Sequence, residues 1–102
     1  MGLAEMLLPD VKNYLDITWP DPENDKKLAG IIERGITYLN RIGGGNLDYV
    51  SEIKERELLF DYCRYVRDNA LASFESDYLH ELLALQIDEE VRYAQESRKP
   101  NV

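Results

Sequence analysis

At 102 residues the chain suits one domain with a modest core and leaves little room for a second. Apolar residues make up 44% and charged residues 31%, a globular balance rather than a disordered one. A net charge of −8, from 20 acidic and 12 basic residues, argues against nucleic-acid binding by phosphate neutralisation, which needs a clustered basic face. It suits simple solubility, or a surface that must not hold nearby DNA.

The opening "MGLAEMLLPD" lacks the basic region of a signal peptide, and no apolar run approaches the roughly 20 residues of a membrane span. One cysteine allows no intramolecular disulfide, so an intracellular setting is expected. The first predicted helix is short, from Pro9 to Asp16. Pro9 suits a first turn, and Val11, Tyr14 and Leu15 follow at helical spacing. "TWPDPEND" then breaks the chain, because a residue before proline is pushed out of helix.

The second helix is expected to start near Asp21 or Pro22, with Asp21 as N-cap, and to stop at Gly43. Leu28, Ile31, Ile32, Gly35, Leu39 and Ile42 form its stripe. Gly35 lies on that stripe, which suggests close approach of another helix. "GGGNLDYV" reads as a flexible loop over 43–50. Its triple glycine is either a helix stop or a loop that moves or fits into a neighbour; no Gly-Lys-Ser/Thr makes it a phosphate loop.

Ser51 can cap the third helix, with Glu52 and Glu55 favourable in the first turn. Leu59, Tyr62, Cys63, Val66 and Ala70 form its stripe, broadened by Leu58, Phe60 and Tyr65. The fourth helix is expected to start between Phe74 and Asp77. Leu79, Leu82, Leu83 and Ile87, then Val91 and Ala94, carry its apolar face. The ordered part should run over about 8–96, with 97–102 a frayed tail. The prediction is thus an all-α bundle of about four helices without substantial sheet, its packing core centred on Leu28, Ile32, Leu39, Leu59, Tyr62, Cys63, Val66, Leu79, Leu82 and Leu83.

Residues with reactive side chains form no site in this pattern. Cys63 lies on an apolar stripe, where a thiol acts as a small hydrophobe. His80 is the only imidazole, and "HELLA" lacks the second histidine of a zinc helix, Ala84 standing in its place. Asp88, Glu89 and Glu90 are adjacent and point different ways on a helix. No catalytic, metal-binding or cofactor-binding residue is expected, and no enzyme. Seven tyrosines are the more informative feature. They suit either the rim of a small core or a subunit interface.

Three segments carry a family resemblance. They are "DVKNYLDI" at 10–17, "LAGIIERGITYLNRIGG" at 28–44 and "LLFDYCRYVRDNALASFESDYLHELLALQ" at 58–86. In order and spacing the chain resembles the small tailed-phage head–tail connector (adaptor) proteins, in the branch found in phages and prophages of Gram-positive bacteria. The resemblance implies a non-enzymatic ring of about twelve copies below the portal. Such a ring joins the capsid to the next neck or tail-completion protein and lets double-stranded DNA pass without sequence-specific binding. It implies a virion location, assembly in the bacterial cytoplasm and no membrane, and is compatible with a monomer when free. Gly43, Gly44, Gly45, Asn46 and Tyr49 would then meet a ring neighbour or the lumen, and Arg92, Tyr93, Arg98 and Lys99 the portal. The rival reading is a small bacterial helical adaptor module that binds one protein partner.

Overall fold

The computed structural model describes residues 2–51 and 53–87. Among these residues the protein is all-helical, with no strand. Five helical segments stand where the sequence pattern suggests about four. They are α1 (Leu3–Tyr14), α2 (Pro22–Gly43), α3 (Ile53–Arg67), α4 (Leu71–Asp77) and α5 (79–87).

α1 corrects the expected Pro9 start, and the ordered part begins before residue 8. Ala4, Leu7 and Val11 are spaced to share one face, and all three are buried. Pro9 sits inside this helix and removes one backbone bond, at a typical cost of about 3 kcal/mol. Both Pro9 and Glu5, whose carbonyl loses that partner, are exposed, so water can serve the carbonyl. The helix ends on Asp16 in the left-handed region (φ 60°). Asp16 and Ile17 return their N–H groups to Asn13 and Lys12 at 3.2 and 2.9 Å, and Ile17 turns into the core.

α1 and α3 both pack against α2 and touch each other, while α4 lies against α3. Its start follows the local chemistry: Pro22 takes the first turn, and the Asp21 side chain accepts from the Asn24 N–H at 3.2 Å. Asp21→Ala is expected to cost about 1 kcal/mol in chemical denaturation. A loss below a few tenths would mean that the cap contributes nothing. Leu28, Ile32, Gly35 and Leu39 are buried along this helix, while Ile31 and Ile42 are half-buried. Gly35 is where α3 comes closest. A β-carbon there would stand 2.7 Å from both Leu59 Cδ1 and Tyr62 Cδ1.

α3 is covered on more than one side: Leu58, Leu59, Phe60, Tyr62 and Cys63 are all buried. It ends as α1 does, on a left-handed residue, Asn69 (φ 58°). Asn69 and Ala70 donate back to Val66 and Tyr65 at 3.2 and 2.8 Å. Ala70 therefore lies past α3, not on its stripe, and α4 begins at once.

The expected fourth helix is two segments. α4 starts at Leu71, earlier than expected, because Ala70 offers no side-chain cap to mark the start. Tyr78 separates it from α5 with φ −110° and ψ 19°. α5 buries Leu82 and Leu85. At about 100° per residue that turns Leu79 and Leu83 away, and they are 47% and 46% exposed rather than core. Val66 is half-buried. Leu28, Ile32, Leu39, Leu59, Tyr62, Cys63 and Leu82 are buried. Val91, Ala94 and the 97–102 tail lie outside the described residues.

Candidate functional site

Cys63 and His80 do not meet as a reactive pair. Cys63 is fully buried, and desolvation pushes its thiol from the usual 9.0 up to about 12. A protonated thiol is neither a nucleophile nor a metal ligand. His80 is exposed on α5. Among the described residues no three His, Cys, Asp or Glu side chains are grouped to hold a metal ion. Asp88, Glu89 and Glu90 lie outside them. The native thiol is expected to resist iodoacetamide and to react only on unfolding, as mass spectrometry would read. Rapid labelling of the folded chain would contradict the burial.

The loop after α2 is held to that helix at two of its residues. Asn40, in the last turns of α2, accepts through Oδ1 from the Leu47 N–H at 3.1 Å and the Tyr49 hydroxyl at 2.7 Å. Leu47 and Tyr49 are buried by this clamp. Tyr49 is thus part of the chain's own core and is not presented to a neighbour or a lumen. Burial, with a smaller push from Glu55, raises its phenol well above the usual range. Gly43 is buried under Leu47, whereas Gly44, Gly45 and Asn46 stay exposed. Gly44 carries the helix stop at φ 80°, a conformation that favours glycine. Ahead of α3 the Asp48 carboxylate accepts from the N–H groups of Val50 and Ser51 at 2.9 Å each.

The described tyrosines divide between core and rim. Phe74 is the hub of a cluster. Tyr38, Tyr62 and Tyr65 set their rings edge-on to it at 6.1, 5.6 and 5.4 Å, and Tyr78 stacks on it at 4.7 Å. Midway along α3 the Phe60 ring packs against Tyr14, 5.5 Å away, while the Arg56 guanidinium lies over the same ring at 4.8 Å. Arg56 also pairs with Asp10 at 2.6 Å, tying α3 to α1.

Two phenols are held by carboxylates. Tyr14 donates to Asp61, and that bond raises its phenol from 10.0 to about 12. Tyr65 donates to Asp77 at 2.8 Å and is likewise pushed up to about 12. These groups lose their protons later in the folded chain than in the unfolded one. The stability they hold is therefore complete below pH 10 and is lost as pH rises towards 12. Unfolding by urea should show that decline, and Tyr14→Phe should flatten it; an identical profile in the variant would remove Tyr14 from the account.

Between α3 and α5 lies a cleft of about 350 Å³. Leu58, Ala84 and Leu85 line it with apolar surface, and Glu55, Asp61 and Glu81 with carboxylates. Glu55, expected as a favourable carboxylate in the first turn of α3, is also buried there. The signal available for it was weak: Glu55 stands three and four residues before Leu58 and Leu59, on the face those leucines bury. Arg92, Tyr93, Arg98 and Lys99, the residues expected to meet a portal, lie outside the described residues. No described helix is long and apolar enough to cross a membrane. Comparison of the chain with known protein families, with curated proteins and with solved structures finds no match.

Proposed function

We propose that the protein is a structural head–tail connector of a tailed phage or prophage, one subunit of a ring beneath the portal. What supports this reading is the block Leu59, Tyr62, Cys63, Tyr65, Phe74 and Tyr78, which in order and spacing resembles the pattern of that family, behind two further segments that resemble it. An all-helical fold agrees with the expectation.

The physical chemistry of such a role is compatible with the chain. A closed ring needs two different faces that meet, and exposed apolar side chains occur on three elements: Met6 on α1, Ile53 on α3, and Leu79, Leu83 and Ile87 on α5. A net charge of −8 would let a DNA backbone slide past rather than adhere. The aromatic block serves packing in this reading, not chemistry.

The test is electron microscopy of the purified chain mixed at high concentration with the portal protein encoded in the same genome. The expected result is an added ring of density below the portal. Unchanged portal particles at saturating concentration would defeat the reading. So would capture of a cellular protein in place of the portal, which is the behaviour of a bacterial adaptor module.

A further inference from the structure

The α3–α5 cleft contains a charge that the fold does not use. Glu55 is only 8% exposed. Among the described residues its carboxylate has no ion-pair or hydrogen-bond partner: Arg56 beside it turns to Asp10, and Arg64 turns to Asp61 and Tyr78. Among the described residues no buried side-chain oxygen is left sealed without a partner. The oxygens of Glu55 therefore keep their small exposure where the residue lines the cleft. Withdrawing a carboxylate from water without a partner is unfavourable, and a neutral side chain of similar size would avoid that cost.

The rest of the lining fits a particular kind of partner. Glu57, Asp61 and Glu81 add negative charge against Lys54, the one cation that lines it among the described residues, while Leu58, Ala84 and Leu85 supply apolar wall. A small metal ion does not suit it, since no group of three ligands is assembled there among the described residues. An arginine or lysine side chain does suit it, because the stem can lie on the leucines and the charged head can reach Glu55. A second copy of so acidic a chain would bring like charge to the cleft. We infer that this cleft is a docking site for a basic, apolar-flanked segment of a partner protein, with Glu55 as the counter-charge. The inference stands whether or not the chain forms a neck ring.

The probe is a capped hexapeptide of alternating leucine and arginine, with a twin carrying glutamine for arginine. Each is titrated into the full chain and read by backbone amide shifts. The arginine peptide is expected to give saturable shifts at Leu58, Glu81 and Leu85, and its twin none. Glu55→Gln should weaken binding about tenfold or more, and the exposed control Glu23→Gln should leave it unchanged. Should Glu55→Gln not fold, the double variant of Glu57→Gln and Glu81→Gln, both at exposed positions, should still weaken binding several-fold. Absence of saturable shifts, equal response to both peptides, or unchanged affinity in the variants would overturn the assignment. So would proximity of Glu55 to residues 91–99 in the free chain, which would make the chain's own basic residues the occupant. A dimer that Glu55→Gln dissociates would overturn it in favour of a second copy.

Discussion

Phe74→Ala is expected to remove about 3–5 kcal/mol of folding stability, the range for truncating a buried aromatic side chain. Phe74 is 1% exposed and touches four tyrosine rings from α2, α3 and the α4–α5 junction. Each well-placed aromatic pair contributes about 0.5–1.5 kcal/mol beyond the area it buries, so several such terms vanish together. Small domains hold only about 5–15 kcal/mol in total, which places the variant close to unfolding. Phe74→Leu keeps most of the volume and should cost much less, about 1.5 kcal/mol or below. Urea denaturation followed by circular dichroism is the suitable measurement, because the single tryptophan, Trp19, is 52% exposed and far from a core reporter. A loss under 1 kcal/mol for Phe74→Ala would show that the cluster is a surface feature with little part in holding α4.

That α4 depends on Phe74 also explains why it was hard to read. Its seven residues, Leu71–Asp77, have no side-chain N-cap, and Phe74 is its only buried residue. Short helices gain most of their stability from tertiary contact, and such contact has no signature in local spacing. α2 is the opposite case. Asp21, Pro22, the Leu28–Leu39 stripe and the glycine stop all act locally, and each falls where its residue type predicts. α1 lies between the two. Its periodicity was present in Ala4, Leu7 and Val11, but Pro9 masked it, since proline more often begins a helix than sits within one.

The surface features were less legible, for a related reason. Tyr49 follows three glycines and then Asn46, Leu47 and Asp48 in a segment with no helical spacing. Its burial comes from Asn40, nine positions earlier, acting as a two-bond acceptor. Glu55 was legible as a helix-start carboxylate but not as a buried one, because α5, nearly thirty residues later, forms the other wall of its cleft. Cys63 is the reverse: its place on the stripe and its burial agree without any tertiary information.

Gly30→Ala is expected to stabilise the chain and Gly35→Ala to leave it unchanged or weaken it, although both exchange glycine for alanine inside α2. In an open helix the exchange stabilises by about 1 kcal/mol. At Gly30 the new methyl would meet only the end of Arg34, with Nη1 at 3.6 Å, so that gain should appear in full. At Gly35 the methyl would stand 2.7 Å from Leu59 Cδ1 and 2.7 Å from Tyr62 Cδ1. Neither neighbour can yield freely. Leu59 has no exposed surface, and the Tyr62 ring is stacked against Tyr38 at 5.6 Å. Overpacking of this kind typically costs about 1–3 kcal/mol, enough to cancel or exceed the helix gain. The two variants should therefore differ by about 1–3 kcal/mol in urea unfolding, with Gly35→Ala the weaker. Shortening the obstructing side chain provides the control. In a Leu59→Val background part of the clash is relieved, and the two substitutions should couple favourably by about 0.5 kcal/mol or more. If Gly35→Ala stabilises the chain as much as Gly30→Ala, α3 does not approach α2 at this glycine, and the register of that helix pair is wrong.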